Sequence, residues 1–564
     1  MAFINTTQNT SSAFQDGHPV YIMMLTLVAT LGGLLFGYDT AVVNGAEKSL
    51  GVFYIAKMLD PANHDYAVQL IGQYKLLASV TFYVCFAVVA TLVMKLFARH
   101  RVQGAVLTIV GLVAMTAYLL PFIREAMSAD AVALKNMADA IKGFVISSAL
   151  IGCIIGGAIA GFISKSIGRK KGLIIAALAF TVSAVGAAFP EKFNVFGVLP
   201  VYSFVIYRII GGFGVGLASM LSPMYIAEIA PAKIRGKLVS WNQFAIIFGM
   251  LIIYFVNYAI ARSNPSPEWL DQTGWRWMFL SGVIPAAIFL VLLFFVPETP
   301  RFLMINNQED KALKVLTKIA GPKQAAAVLA EIKATLHETS APWLSFGFLV
   351  VFIGIMLSVF QQFVGINVVL YYAGNIFRNM GSSTDSSLML TIIVGAINLL
   401  FTVLAIYTVD HYGRKPLMII GAIGMAVSMF ALGMTFYLSS GVDAAGGFVM
   451  SKNAALMALI FMLTYVAAFA MSWGPVTWVL LSEIFPNSIR GAMSIAVAAQ
   501  WVANLIISWT FPIMNDNVRL TAQFHHGFAY WIYGLMGLLA AVFVWRLVPE
   551  TKGRSLEDMQ KLWK

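Results

Sequence analysis

The sequence predicts an all-α polytopic membrane protein, and two observations lead to this prediction. Of the 564 residues, 60% are hydrophobic and only 11% are charged, whereas a soluble domain has roughly 25% charged residues. The hydrophobic residues also form runs of about 20 residues, the length that an α-helix needs to cross the hydrocarbon core of a bilayer. A water-soluble fold is therefore excluded, and the lipid bilayer is the expected environment.

Apolar runs of spanning length recur along the whole chain. The first begins at Val20 and reaches Tyr38 without a charged residue, which makes it too long and uninterrupted for a cleaved signal sequence. About fourteen transmembrane helices are expected. The predicted spans are Val20–Tyr38, Leu76–Met94, Val102–Ile123, Gly143–Ser164, Gly172–Pro190, Val201–Ala227, Leu238–Ile260, Trp277–Pro297, Ser345–Phe377, Ser386–Val409, Leu417–Leu438, Asn453–Ser482, Ala492–Met514 and Gly527–Trp545.

Basic residues in the short connections predict the orientation, because cytoplasmic loops are enriched in Lys and Arg. Connections with several basic residues alternate with poorer ones, which carry single residues such as Lys192 and Arg378. The connections rich in basic residues are Lys165–Lys171, Lys233–Lys237, Arg414–Lys415, the one that holds Arg490, and the stretch Arg301–Pro342. Short interfacial helices are expected in this last stretch. We expect these connections on the cytoplasmic side, together with both termini. The net charge of +12 is then a topology signal, and no nucleic-acid partner is expected.

Three short motifs recur in the same order about 250 residues apart, which indicates an internal duplication. GRK at Gly168 returns at Gly413, EIAPAKIRG at Glu228 returns as EIFPNSIRG at Glu483, and PETPR at Pro297 returns as PETKGR at Pro549. Parallel repeats of this kind describe the major facilitator architecture, whose substrate site lies between the halves near the bilayer midplane. The predicted regions are a tail 1–19, a first helix bundle 20–297, a linker 298–342, a second bundle 343–549 and a tail 550–564.

Longer motifs resemble those of the sugar porter family of the major facilitator superfamily. The motifs are GGLLFGYDT (Gly32–Thr40), YRIIGGFGVGLASMLSPMYIAEIAP (Tyr207–Pro231), QQFVGINVVLYY (Gln361–Tyr372), DHYGRKP (Asp410–Pro416), SWGPVTWVLLSEIFP (Ser472–Pro486) and the two PET motifs. Nearly the whole chain resembles this family, and in particular its members that take up D-xylose with a proton. The resemblance implies a major facilitator fold of two six-helix repeats, a monosaccharide and a proton as substrates, no cofactor and no enzyme activity. It also implies a multi-pass location in the plasma membrane, here the bacterial inner membrane.

The first half is about eighty residues longer than the second. The additional residues, about 60–135, follow the first helix and contain the spans Leu76–Met94 and Val102–Ile123. They predict an inserted two-helix hairpin with a basic turn at Lys95–Arg101. Two interpretations are open: an accessory hairpin that faces lipid, or a contact for a partner or a second copy.

Two charged residues lie in apolar runs, Asp39 at the end of the first and Arg208 within a later one. A charge at the centre of a membrane helix costs at least ~2.5 kcal/mol, so such residues are usually paired and functional. A buried carboxyl whose counter-charge can move is able to take up and release a proton. The resemblance implies that Asp39 carries the proton and that Arg208 is its partner. A static ion pair between two helices is the alternative.

Side-chain amides within the spans suit a sugar, because they donate and accept hydrogen bonds without carrying charge. The sequence Gln361-Gln362 followed by Gly365 and Asn367 predicts a broken helix that lines a cavity. The resemblance implies sugar contacts foremost at Gln243, Gln361, Gln362, Asn367 and Trp473, then at Gln500 and Asn398, with Phe36, Tyr372 and Trp501 as further aromatic candidates. For each amide the alternative is a helix-to-helix hydrogen bond, and for each aromatic it is packing.

Two positions bear on the choice of sugar. Met250 stands where D-xylose symporters of the family carry a glutamine, which leaves room for a hexose. Leu370 keeps the residue of the xylose type, where hexose carriers often have an aromatic. D-xylose is favoured, and the preference between pentose and hexose stays open.

A charged cluster repeats in the two halves. Arg169, Glu228 and Arg235 form it in the first half, and Arg414, Glu483 and Arg490 in the second. The resemblance implies a cytoplasmic gate whose salt bridges hold the halves together when the carrier faces outward. Plain topology-determining charge is the alternative, although it does not explain two acids at repeated positions.

Three other functions are less consistent with the sequence. A facilitative uniporter for hexose or pentose would share the sugar contacts and lack only proton coupling. A non-transporting sugar sensor usually has a long cytoplasmic tail, whereas Gly553–Lys564 is short. An enzyme is disfavoured because the 7 His are scattered, Cys85 and Cys153 lie inside apolar runs, and no metal-binding spacing is present.

Overall fold

The computed structural model describes residues 18–97, 101–124, 130–231, 234–264, 266–335, 341–442, 448–485, 487–552 and 563. Fourteen helical segments in these ranges are long and apolar enough to cross a membrane, which confirms the predicted all-α polytopic class. The exception is a pair of antiparallel strands, β1 (Ser440–Val442) and β2 (Phe448–Met450), in which Gly441 lies opposite Val449.

The helices form two bundles joined by a linker of short helices. The first bundle comprises α1 (Pro19–Ala41), α2 (Val43–Leu50), α3 (His64–Leu96), α4 (Arg101–Arg124), α5 (Ala131–Ser166), α6 (Arg169–Ala188), α7 (Pro200–Ile229), α8 (Arg235–Ser263), α9 (Pro267–Trp269), α10 (Trp275–Leu280) and α11 (Val283–Phe295). The linker comprises α12 (Pro300–Ile305), α13 (Glu309–Ala320) and α14 (Pro322–Thr335). The second bundle comprises α15 (Phe348–Phe363), α16 (Ile366–Asn379), α17 (Thr384–Tyr412), α18 (Arg414–Ser439), α19 (Lys452–Met471), α20 (Trp473–Ile484), α21 (Met493–Asn515), α22 (Val518–Phe524) and α23 (Phe528–Leu547).

Glycines let α5 and α7 approach each other backbone to backbone. A Cβ atom at Gly152 would lie 1.9 Å from the carbonyl oxygen of Ile209, and one at Gly212 would lie 1.7 Å from that of Ala149. Membrane helices have no hydrophobic driving force between them, so close packing of this kind supplies much of their association. The glycine-rich motif after Tyr207 is thus explained by packing.

The first span is longer than we predicted. The predicted end was Tyr38, but α1 continues to Ala41, breaks at Val42 and resumes as α2, so that the helical segment reaches Leu59. The predicted end was set by the charge of Asp39, but the helix continues because the polar residues beyond it are satisfied inside the protein: Asn44 and Glu47 are buried and bonded to other helices. At the break, Asn257 donates to the carbonyl oxygen of Val42 across 3.2 Å.

The inserted hairpin consists of α3 and α4, and α3 begins at His64, twelve residues before the predicted Leu76. This helix is packed against the protein: the Tyr202 hydroxyl donates to the Leu70 carbonyl (2.6 Å), and the Gln73 side chain accepts from the backbone N–H of Leu199 (2.8 Å). It also reaches the second bundle, where the Trp509 ring lies 5.6 Å from that of Phe82. Most described side chains of α4, and most of those of α3 apart from the face that makes these contacts, are not buried. The lipid-facing interpretation therefore stays a prediction for the hairpin, with one face of α3 packed on the protein.

The repeated GRK and PET motifs meet in space. One oxygen of the Glu298 carboxylate accepts from the backbone N–H of Arg169 and the other from that of Lys170, both at 3.1 Å. Glu550 accepts in the same way from Arg414 (3.1 Å) and Lys415 (3.0 Å). Each glutamate thus caps the first turn of a helix, α6 or α18, whose N–H groups have no partner within the helix. Burial raises the pKa of the Glu298 carboxyl, and these backbone donors oppose the rise.

We expect Glu298→Ala to lower the free energy of unfolding by about 1–2 kcal/mol, because it removes the acceptor of backbone N–H groups at a helix start. The measurement is the thermal unfolding of the purified protein in detergent, followed by tryptophan fluorescence. Glu309→Ala is the matched control, since Glu309 forms an exposed pair with Lys333 at 3.2 Å and such pairs contribute little. Equal stability losses in the two variants would contradict the capping role.

Candidate functional site

The charged residues predicted to carry the proton form a buried ion pair. Arg208 on α7 lies 2.9 Å from the Asp39 carboxylate on α1 and donates a second hydrogen bond, also 2.9 Å, to the Asp39 carbonyl oxygen. The arginine side chain is 1% exposed and the aspartate side chain 13%, and the Phe279 ring lies 5.3 Å from the guanidinium. The second carboxylate oxygen, Oδ2, makes no hydrogen bond to the described residues. A proton can therefore be accepted there without displacing Arg208.

Tyr371 connects this ion pair to the second bundle, and the sequence did not single it out. It is buried on α16 and lies within electrostatic range of Asp39 and Arg208. Its position four residues after Asn367 is the sequence signal that could have identified it, because residues four apart lie on one face of a helix.

Four of the predicted amides form one hydrogen-bonded chain. Gln361 and Gln362 lie at the end of α15, Asn367 lies in the first turn of α16, and Gln500 lies on α21. Asn367 donates to the Gln362 carbonyl oxygen (2.5 Å). Gln362 (3.4 Å) and Gln500 (2.8 Å) both donate to the carbonyl oxygen of Gln361. The buried Oε1 of Gln500 is left without a partner among the described residues, which makes it a free acceptor for a ligand hydroxyl.

Two helix breaks hold Gln361 in place. The predicted break after α15 is confirmed: Gly365 has φ +96°, and the Tyr465 hydroxyl donates to the Val364 carbonyl that the break frees (2.7 Å). A second break, at Ser472, separates α19 from α20. The Gln361 amide donates to the carbonyl oxygens of Trp473 (3.0 Å) and Gly474 (3.3 Å) just beyond it, so its own carbonyl oxygen is turned toward the other amides.

The aromatic candidates divide into two kinds. Phe36 on α1 and Trp501 on α21 meet between the bundles, with ring centroids 5.6 Å apart. Tyr372 and Trp473 are each at most 1% exposed, and their polar atoms are occupied by backbone carbonyls: the Tyr372 hydroxyl donates to Ser508 (2.8 Å) and the Trp473 indole N–H to Met418 (2.9 Å). Of the four aromatic candidates, Phe36 and Trp501 are therefore the two that meet between the halves.

The two remaining amides lie on the helices that face each other across the seam between the bundles. Gln243 is half-buried on α8, and Asn398 is buried on α17. These helices are in contact, with the Tyr254 ring of α8 packed on Gly395 of α17. Neither amide belongs to the four-membered chain.

The residues of the predicted gate lie near the helix starts capped by Glu298 and Glu550, on the end of the bundle that we term the terminal face. Each ion pair there joins two helices of one half: Arg169 to Glu228 at 2.7 Å, and Arg414 to Glu483 at 3.1 Å. The exposed Arg235 side chain instead approaches the Ala230 carbonyl at 3.5 Å. The side chain of Arg490 lies outside the described part of the structure.

Comparisons with known proteins agree with this architecture. The family model described as "Sugar (and other) transporter" matches residues 25–563. The D-xylose-proton symporter of Escherichia coli strain K12 is 50% identical, with 96% of both chains covered. The glucose facilitated diffusion protein of Zymomonas mobilis is 37% identical, with 96% of this chain and 98% of that protein covered.

A solved structure shows the same fold. The partially occluded inward-open conformation of the xylose transporter XylE from E. coli superposes with a TM-score of 0.72 at 48% identity, covering 95% of this chain and all of that one. These relatives are transporters and not enzymes, as the sequence predicted. The chain belongs to the sugar porter family of the major facilitator superfamily.

Proposed function

We propose that this protein takes up a monosaccharide together with a proton, with D-xylose as the first candidate. The single observation that supports this most is the buried Asp39–Arg208 pair, whose aspartate keeps a free oxygen while its arginine is almost completely enclosed. A transporter that only needed to join two helices would not require a charge pair there, since such groups are costly in a membrane.

The sugar would bind between the halves, at the amide chain. Gln361, Gln362, Asn367 and Gln500 supply donors and acceptors, with Gln243 and Asn398 on the helices at the seam. Phe36 and Trp501 would cover the apolar face of the ring. The 50% identity to a D-xylose-proton symporter supports xylose as the substrate, and Met250 is the reason to test hexoses beside it.

Coupling between the two substrates would pass through α16. This half-helix carries Asn367 of the amide chain and, one turn later, Tyr371, which lies within electrostatic range of the Asp39–Arg208 pair. A sugar that displaces Asn367 would shift Tyr371 relative to the ion pair. The proton affinity of Asp39 and the position of α16 would then be linked, as alternating access requires.

The terminal face would lie in the cytoplasm, together with both termini, in a bacterial inner membrane. The basic residues of the linker and of the GRK motifs support this orientation. The cluster of Arg169, Glu228, Arg414 and Glu483, with Arg235 and Arg490, would then form the cytoplasmic gate. Since both described ion pairs lie within one half here, we propose that they re-pair across the seam when the carrier faces outward.

The test is the pH change of a lightly buffered suspension of de-energised cells that express the protein. We expect external alkalinisation when D-xylose is added, and none with Asp39→Asn, while exchange of labelled xylose persists in that variant. Glu191→Gln is the control, because Glu191 forms an ion pair of similar length with Arg276 (2.8 Å), more exposed and outside the proposed proton path. D-glucose and L-arabinose, tested in parallel, decide the substrate.

A uniporter is the second candidate, and one observation favours it: the similar Zymomonas mobilis protein is a facilitated diffusion protein for glucose. Labelled sugar that enters the cells without any pH change would establish this function. Asp39 and Arg208 would then be a structural ion pair.

A further inference from the structure

A cluster of four charges closes the two halves against each other at the end of the bundle away from the terminal face. Glu47 on α2 and Lys142 on α5 belong to the first half, whereas Arg378 on α16 and Asp516 at the end of α21 belong to the second. We refer to these four residues as the distal cluster. The sequence suggested for Arg378 no more than a loop charge, and it singled out none of the other three.

Glu47 is the centre of the distal cluster. Its carboxylate lies 2.5 Å from the Lys142 ammonium through one oxygen and 2.5 Å from the Arg378 guanidinium through the other. Lys142 also lies 3.5 Å from Asp516. The Glu47 side chain is only 1% exposed, and its three partners are between 17% and 20% exposed. Two ion pairs therefore cross the seam, Glu47–Arg378 and Lys142–Asp516.

Uncharged contacts of α16 hold the same side of the seam together. Asn44 (3.1 Å) and Tyr254 (2.9 Å), both from the first half, donate to the carbonyl oxygen of Leu370. Gly374, one turn further on, lies against Asn44, because a Cβ atom there would be 3.5 Å from the Asn44 carbonyl oxygen. Arg378 follows after one more turn. The face of α16 from Leu370 to Arg378 is thus attached to the first half.

We propose that the distal cluster is a latch on the outer gate of the transport cycle, and that Glu47 is its central residue. This inference rests on the proposed orientation and on alternating access, and it adds the element that sets the balance between the two conformations. For the carrier to open outward, α16 must leave α2, and both crossing ion pairs must break. Without Glu47 the two cations Lys142 and Arg378 would face each other in the closed seam, whereas in the open state water would solvate them.

Removing the Glu47 charge is therefore expected to favour the open state. The experiment measures the distance between the halves with spin labels at Val195→Cys and Asp385→Cys, two exposed positions, one in each half. The chain also carries Cys85→Ser and Cys153→Ser, is placed in lipid nanodiscs and receives no sugar. The measured quantity is the distance ratio, which is the population at the longer distance divided by the population at the shorter one. We expect Glu47→Gln to raise this ratio about tenfold, in the usual range of conformational coupling.

Three further variants make the result specific. Arg378→Gln should also raise the ratio, because it breaks one crossing pair. The double variant Glu47→Gln/Arg378→Gln should give a lower ratio than Glu47→Gln alone, since Lys142 keeps Asp516 and faces no second cation. Glu191→Gln is the matched control: its partner Arg276 is in the same half, so the ratio should not change.

The proposal is overturned if Glu47→Gln and Arg378→Gln both leave the distance ratio within about twofold of the parent protein. If Glu47→Gln does not elute as a single folded species, Arg378→Gln alone decides between the outcomes. The measurement needs neither sugar nor a proton gradient. A failure of the symport assay with an intact distance shift would therefore reject the proposed function only, and the reverse result would reject the latch only.

Discussion

Gln361→Ala is expected to lower the affinity for the transported sugar about 100-fold, which corresponds to about 2.7 kcal/mol. Gln361 makes four hydrogen bonds, more than any other member of the amide chain: its amide N–H group donates to the carbonyls of Trp473 and Gly474, and its oxygen accepts from Gln362 and Gln500. Alanine leaves the amide N–H groups of Gln362 and Gln500 without their acceptor and releases both amides from their orientation. Each unsatisfied buried group costs about 1–3 kcal/mol. The measurement is sugar binding to the purified protein by isothermal titration calorimetry.

Gln73→Ala is the control that distinguishes a loss of sugar affinity from a loss of protein stability. Gln73 also makes a hydrogen bond to backbone, accepting from the Leu199 N–H at 2.8 Å, but it lies on the hairpin helix α3. Both alanine variants should melt at a lower temperature than the parent, and only Gln361→Ala should lose affinity. A Gln361→Ala protein that binds sugar as tightly as Gln73→Ala would place the sugar elsewhere.

Gly212→Ala is expected to prevent normal packing of the first bundle, although it adds a single methyl group. The added Cβ atom would lie 1.7 Å from the carbonyl oxygen of Ala149, and neither partner is a flexible side chain that could move aside. The α5 and α7 backbones must separate, which we expect to cost about 3 kcal/mol or more. The measurement is the yield of monodisperse protein by fluorescence-detected size-exclusion chromatography.

The control for this prediction is Gly161→Ala on α5, the helix against which Gly212 packs. No atom lies within 4 Å of a Cβ atom built at Gly161, so alanine there should leave the yield and the melting temperature unchanged or slightly higher, since it is the better helix former. If Gly212→Ala accumulates and melts like the parent protein, the close contact of α5 and α7 does not limit folding.

Hydrophobicity and repeated motifs made much of the fold predictable. The requirement that a membrane helix be about 20 apolar residues long acts locally, so the fourteen spans could be read along the chain. The break after Gln362 was also local, because Gly365 adopts a backbone conformation that favours glycine. The first span was predicted too short for the opposite reason. The charge of Asp39 suggested the end of the span, whereas Asp39, Asn44 and Glu47 all find partners on other helices.

The sequence predicted which residues form the candidate site, but not how they are arranged. Gln361, Gln362, Asn367 and Gln500 were named as separate amides, and the structure joins them. Which of their atoms remain free for a ligand depends on the order of the hydrogen bonds. That order is set by backbone carbonyls that no pattern of residues reveals.

By itself, the sequence determined that this protein spans a membrane with fourteen helices, that it contains two related halves, and that a carboxylate and an arginine lie within its apolar segments. These properties depend on each segment's own composition or on similarity between segments. Only the tertiary structure decided that Glu298 and Glu550 cap helices far along the chain, that α3 packs against both halves, and that Glu47 bonds Arg378 across the seam. Such contacts join residues from about 130 to more than 400 positions apart, so the distances between side chains, and not the order of residues, determine them.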